Sequence, residues 1–314
     1  MPITPYPGAD RGNILQSLTS VHTSLGNLSG RDRSTAYAYL LSYLRWVTDS
    51  SRLLRHQLRD ADVRELILTD RYQALLDGVG HLAGSQQEGF VNGLVDLEIE
   101  ERLEAFSEAI GTFTTQSERW GAVETLIVAD SSFYVHHPDR LENVDLSAVS
   151  ETIPETGVHL LVPLVIIDEL DRLKETGRSQ PRWRARHALA VLDRILDADG
   201  RGTLHPAGAG RGAVSVEIIF DEPGHARLPD EDDEIVDRAV AVQAVAGRPV
   251  KLLTYDTGQS TRARFAGLTV KKFPDDPEPA EEPDWAAQES RKGTGTRARR
   301  KERQAALGEQ PAEE

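Results

Sequence analysis

The spacing of apolar and polar positions divides the chain near residue 122. Before that point Leu40, Leu41, Leu44, Val47, Leu54 and Leu58 recur three and four apart, and Val63, Leu66, Ile67, Tyr72, Leu75 and Leu76 continue the period. Leu94, Leu97, Ile99, Leu103, Phe106 and Ile110 form a further stripe, with acids on the other faces. This spacing predicts amphipathic helices, and Ser34 with Thr35 is placed to cap one of them. Residues 13–120 therefore read as an all-α bundle, an interaction domain with Trp46 and Trp120 as core or interface anchors. The 92–114 helix is the candidate surface for a homodimer. Residues 1–12, with three prolines, read as a disordered leader.

After residue 122 the period changes. Thr125 to Ala129 is a short buried-strand run ending in Asp130. Leu160 to Ile167 is a continuous apolar run that predicts a strand buried on both faces, with a helix starting at about Asp168. Pro163 fits a strand start or a local break. A helix from Pro181 turns Ala185, Ala188, Leu189, Val191, Leu192 and Ile195 inward, and residues 199–212, with five glycines and one proline, read as a flexible loop. Val214 to Phe220 is a strand, 235–245 an apolar helix with an acidic start, 249–254 a strand, 257–266 a helix and 268–273 a last strand. Strand and helix alternate, so residues 122–273 are expected to form a three-layer α/β/α domain with a mainly parallel sheet. From Pro274 to Glu314 the chain is charged and lacks an apolar face, and reads as a disordered tail.

Composition narrows the function. With no cysteine, disulfides and thiolate metal sites are excluded, which fits a cytoplasmic protein. No run of 18 apolar residues occurs, and the first residues carry neither a basic nor an apolar signal region. A net charge of -15 argues against non-specific coating of nucleic acid, although not against a local basic groove.

The chemistry lies in acids at four places. Asp130 ends the first strand, Glu169 follows the second, Asp232 and Asp233 open a helix, and Asp256 ends a later strand. The carboxyl ends of parallel strands share one edge, so these acids can converge there. Helix capping accounts for any one of them, but hardly for all four. Two carboxylates about 4 Å apart repel by roughly 4 kcal/mol at an effective dielectric near 20, and a divalent cation removes that cost. An all-oxygen donor set suits Mg²⁺ or Mn²⁺. Such ions activate water for phosphodiester hydrolysis.

The segments Val-Ala-Asp130-Ser-Ser, Val-Ile-Ile-Asp-Glu169-Leu-Asp-Arg-Leu-Lys, Asp232-Asp-Glu-Ile-Val-Asp-Arg-Ala and Leu-Thr254-Tyr-Asp256 resemble, in order and spacing, the acidic motifs of PIN-domain ribonucleases. The resemblance spans about residues 122–273. It implies a Mg²⁺- or Mn²⁺-dependent endoribonuclease, with Asp130, Glu169, Asp232 and Asp256 as the catalytic, metal-binding acids. Ser132, Thr254 and Asp233 support them. Glu169 is preferred to Asp168 because it directly precedes Leu170, and Asp232 to Asp233 by its spacing to Ile235 and Ala239. Arg172, Lys174, Arg178, Arg182, Arg184 and Arg186, with Trp183 among them, are the candidate RNA contacts. His136, His137 and His187 read as surface residues. The rival reading is a non-catalytic RNA- or protein-binding module on the same fold.

Overall fold

The computed structural model describes residues 3–274 except 7, 30–34, 78–80, 123–124, 177–178, 209 and 222–224. The expected tail beyond Pro274 therefore lies outside the described residues, as does Arg178. Five helices come first: α1 (Arg11–Ser29), α2 (Ala36–Leu54), α3 (Asp60–Leu66), α4 (Asp70–Asp77) and α5 (Glu88–Gly121). Thr35 caps α2, its side chain accepting from the Ala38 N–H at 3.1 Å. Helices α1, α2 and α5 pack on one another around Leu18, Leu25, Tyr43, Trp46, Phe106 and Phe113. Leu94, Leu103 and Ile110 lean on the same core, so most of the α5 stripe is used inside the chain. Homodimerisation through it gains no support.

The expected leader is corrected over its described part. Ile3 is 2% exposed, the Thr4 N–H donates to Asp62 Oδ2 at 2.7 Å, and the Tyr6 N–H donates to the Gln57 carbonyl at 2.9 Å. Proline is compatible with an extended segment, and burying Ile3 holds this one down.

The second half supplies β1 (Thr125–Ala129), α6 (Ser131–His136), α7 (Leu146–Val149), β2 (Val158–Pro163), α8 (Leu164–Thr176) and α9 (Ser179–Ile195). It continues with β3 (Arg201–His205), β4 (Val214–Ile219), α10 (Glu231–Ala246), β5 (Val250–Thr254), α11 (Thr257–Phe265) and β6 (Thr269–Lys272). The six strands lie in the order β3-β4-β2-β1-β5-β6. All neighbours pair in parallel except β3 with β4. Helices flank the sheet, α6, α8 and α9 packing together and α10 against α11, so the three-layer α/β/α expectation holds.

Two local expectations are corrected. The Leu160–Ile167 run splits at Pro163: β2 stops there and α8 begins at Leu164. An apolar run of that length is compatible with a buried strand or a buried helix. Proline needs no N–H partner and has its φ set where a helix starts, and Val165, Ile166 and Leu170 then face the core. The glycine-rich 199–212 stretch contains strand β3. A Cβ on Gly202 would lie 2.2 Å from the Ile195 carbonyl oxygen, so glycine there allows close backbone approach.

Both halves belong to one compact unit. Helix α5 packs on α10. Trp120 donates its indole N–H to Glu217 Oε2 of β4 at 3.1 Å, and Arg119 reaches Glu217 Oε1 at 2.7 Å. Arg59 pairs with Asp237 of α10. Among the described residues, no helix is long and apolar enough to cross a membrane.

Gly202→Ala is expected to destabilise the fold by about 2 kcal/mol or more through this overlap. Gly208→Ala, where a Cβ meets nothing within 4 Å, should change stability by no more than about 0.5 kcal/mol. Urea unfolding midpoints of the two variants check the contrast.

Candidate acidic site at the carboxyl edge of the sheet

The chain runs outward from β1 through β2 to β4 and returns to β1's other side at β5. Such a reversal, at the carboxyl ends of β1 and β5, is where an open α/β sheet usually takes its ligand. Asp130 sits at it. The Asp130 N–H extends the β1–β5 ladder by donating to the Leu253 carbonyl at 3.1 Å, and its side chain is the N-cap of α6.

Asp130 is 3% exposed, and its carboxylate accepts from three donors. Ser132 Oγ (2.7 Å) and the Phe133 N–H (3.0 Å) reach Oδ1, and Thr254 Oγ1 (2.5 Å) reaches Oδ2. The same two hydroxyls also accept backbone N–H groups: Ser132 Oγ from Tyr255 of the opposite segment at 2.9 Å, and Thr254 Oγ1 from Asp256 two residues on at 2.8 Å. Burial still raises Asp130 from 3.8 to about 6 against these hydrogen bonds, with the Asp232 charge adding to the rise.

Glu169 is not at the helix start, as expected from sequence, but about one and a half turns into α8. Burial raises its carboxyl from 4.5 to about 6. A side-chain hydrogen bond with Ser131 opposes this, while Glu231, Asp130 and Asp232 reinforce it. Its Oε2 is buried without a hydrogen-bond partner. Asp168 is exposed and pairs with Arg227 at 2.5 Å.

Asp232 lies in the first turn of α10, which is capped by Asp230. Burial holds Asp232 above the usual range; Asp256, Asp230 and Asp233 add to this and Arg262 opposes it. Asp233 is exposed. Asp256 is exposed and caps α11, its Oδ1 accepting from the Gln259 N–H at 2.7 Å. Asp130, Glu169 and Asp232 thus feel one another's charge, and Asp256 joins through Asp232.

Sequence reasoning missed Arg262, Ser131 and Glu231. Ser131 and Glu231 each lie next to a motif acid in sequence, a positional signal; Arg262, six residues past Asp256 in α11, carried none. The basic cluster is also more engaged than expected. Arg172 pairs with Glu231 at 2.5 Å, and Lys174 with Asp171. Arg182 donates to the Lys174 carbonyl at 3.0 Å and Arg184 to the Pro138 carbonyl at 2.6 Å. Arg186 is exposed. Trp183, 47% exposed, stacks on His187 at 4.9 Å between centroids and carries the Arg140 guanidinium at 5.2 Å. His137 is buried rather than on the surface, its ring 4.8 Å from Phe133.

Asp221, His225 and Glu234 also place one ligand atom each within 4.8 Å of one another. Those atoms are already committed. Glu234 Oε1 meets His225 Nε2 at 2.7 Å, its Oε2 accepts from the Leu228 N–H at 2.9 Å, and Asp221 pairs with Arg227 at 2.6 Å. The trio ties down the segment before α10.

A parallel sheet with this order and four acids on its carboxyl rim can be set beside known families. Residues 127–273 match the family model of the PIN domain. The match takes in all four acids and begins inside β1 of the PIN-like half. The helices before it have no family match, and no curated protein matches the chain.

Folded Asp130 and Glu169 bind protons more tightly than they do unfolded, because both are raised to about 6. Stability should therefore be greatest below their ordinary values of 3.8 and 4.5, fall as pH rises toward 6, and have lost this contribution above that. Thermal melts in chelating buffer between pH 4 and 7 should show a shallower decline for Asp130→Asn/Glu169→Gln than for the native chain.

Proposed function

We propose that the chain is a metal-dependent endoribonuclease that hydrolyses RNA phosphodiester bonds at Asp130, Glu169, Asp232 and Asp256. The carrying observation is the pair Asp130 and Glu169: one carboxylate buried and the other half-buried, both raised, the second with a buried oxygen that lacks a hydrogen bond. Among the described residues neither has a basic ion-pair partner. Uncompensated charge of this kind at a sheet's carboxyl rim is costly unless a cation neutralises it.

The donor set is all oxygen, which fits Mg²⁺ or Mn²⁺. When bound, such an ion supplies a water of lowered pKa and offsets charge on the phosphate. The chain's own residues do the rest. Ser132 and Thr254 hold both oxygens of Asp130 in place and tie β1 to the segment carrying Asp256. Ser131 orients Glu169 and leaves Oε2 for the ion. Asp256, fixed by its cap, brings charge from the carboxyl end of β5. Exposed Trp183, Arg182 and Arg186 on α9 offer stacking and phosphate contacts to single-stranded RNA, with Arg172, Lys174 and Arg184 exchanging their internal partners for phosphate.

A second reading, a binding module that does not cleave, draws on the ion pairs of Arg262 with Asp230, Asp232 and Asp233, which neutralise part of the rim without metal. Labelled single-stranded RNA decides between the two. The nuclease should generate products with Mn²⁺ and none with EDTA. Asp130→Asn and Glu169→Gln should each slow cleavage about 10²-fold or more, the loss of several kcal/mol of charge stabilisation. Equal cleavage under all these conditions would sink the nuclease reading, and tight retention of RNA without products would establish the binding module.

A further inference from the structure

Arg262 lies on α11 and forks across the start of α10. Its Nη1 is 2.7 Å from Asp232 Oδ2, its Nη2 3.1 Å from Asp230 Oδ2 and its Nε 3.0 Å from Asp233 Oδ1. One guanidinium thereby engages three carboxylates, each through a different nitrogen of its planar fork. Gly258, one turn earlier on α11, reports how close the fourth acid comes. A Cβ there would lie 3.0 Å from Asp256 Oδ1 and 3.3 Å from Arg262 Nη1. The guanidinium is therefore wedged between the third and fourth acidic motifs.

The bland role for such an arginine is to clamp α10 to α11. Asp230 already caps α10, and Asp233 is exposed, so a clamp to those two would suffice. The shortest of the three contacts instead goes to Asp232, half-buried beside Asp130 and Glu169. Asp232 Oδ2 cannot be fully neutralised twice. A divalent cation ligated there approaches to about 2.0–2.6 Å, the space next to a guanidinium nitrogen at 2.7 Å. Two positive charges that close repel, so Arg262 disfavours a cation on Asp232.

We propose that Arg262 is a built-in counter-ion that holds the Asp232 side of the acidic site against a divalent cation until a backbone phosphate of the substrate takes the guanidinium. The inference rests on the nuclease reading above and adds an order to it. Phosphate presents the same paired oxygens as a carboxylate, so Arg262 keeps a charged partner when it leaves Asp232. At 39% side-chain exposure it has room to turn outward. Phosphate and metal then bind cooperatively, each favouring the other by the same factor.

Mn²⁺ binding to the full chain, followed by the electron paramagnetic resonance of free Mn²⁺, tests this without reference to cleavage. Arg262→Ala should bind Mn²⁺ about fivefold or more tightly than the native chain. Arg262→Gln, which keeps hydrogen bonds to α10 but not the charge, should do the same, and Arg262→Lys should stay near native. A short oligodeoxythymidylate, used as a chain of phosphates, should tighten Mn²⁺ binding in the native protein and add nothing in Arg262→Gln. Native affinity in both charge-removing variants, weaker binding in both, or phosphate coupling that survives in Arg262→Gln would each overturn the proposal. Asp130→Asn separates the levels. If it weakens Mn²⁺ while the Arg262 variants change nothing, the acidic site stands and the counter-ion falls. If it has no effect, the ion is elsewhere and both fall.

Discussion

The structure turns on an anion placed where water hardly reaches. Asp130, 3% exposed, ends a strand at the centre of the sheet, and an unpaired charge in such a place costs several kcal/mol. Two hydroxyls and one backbone N–H converge on it, and the two hydroxyls continue to the backbone of Tyr255 and Asp256. Satisfying one acid thus fixes the carboxyl ends of β1 and β5 and the position of another acid. The hydrogen bonds fall short of full compensation, since burial still lifts the carboxyl to about 6.

How much of this the sequence discloses depends on the range of the interaction. Strand and helix alternation over 122–273 was legible because burial on two faces selects β-branched runs and burial on one face selects a helical stripe. Ser132 and Thr254 were legible as neighbours of acids, and both meet Asp130. The Leu160–Ile167 run was misread because a buried helix turn and a buried strand have the same composition; only the start of α8 at Leu164 moves Glu169 into the helix body. Strand β3 was hidden by glycine, which signals freedom in one setting and steric necessity in another. Arg262 was illegible for a simpler reason: its contacts span 29 to 32 positions, and no local pattern encodes them.

The helical half bears on the site through α10. That helix carries Asp232 at its start, and its flank receives α5 and α1. Arg11 donates to the Ala246 carbonyl at its end at 3.2 Å, and Arg59 holds Asp237. Glu217 of β4, engaged by Arg119 and Trp120, fixes α5 against the sheet. The helices therefore determine how firmly α10 presents its acidic turn, whatever else their outer surfaces do.

Charge around the rim is graded, and the gradient points to one spot. Most outer acids have arginines: Asp168 has Arg227, Glu231 has Arg172, and Asp230 with Asp233 has Arg262, while exposed Asp256 caps α11 instead. Asp232 shares Arg262 with two others. At the inner end Asp130 has only neutral donors, and Glu169 keeps an oxygen with no hydrogen bond. Were acidity here merely a device for solubility or helix capping, the buried positions would be the first to be paired or replaced, because charge is most costly there. The opposite order is observed. Here the least hydrated carboxylates, Asp130 and Glu169, are the ones with no ion pair among the described residues, an order that capping or solubility alone does not explain.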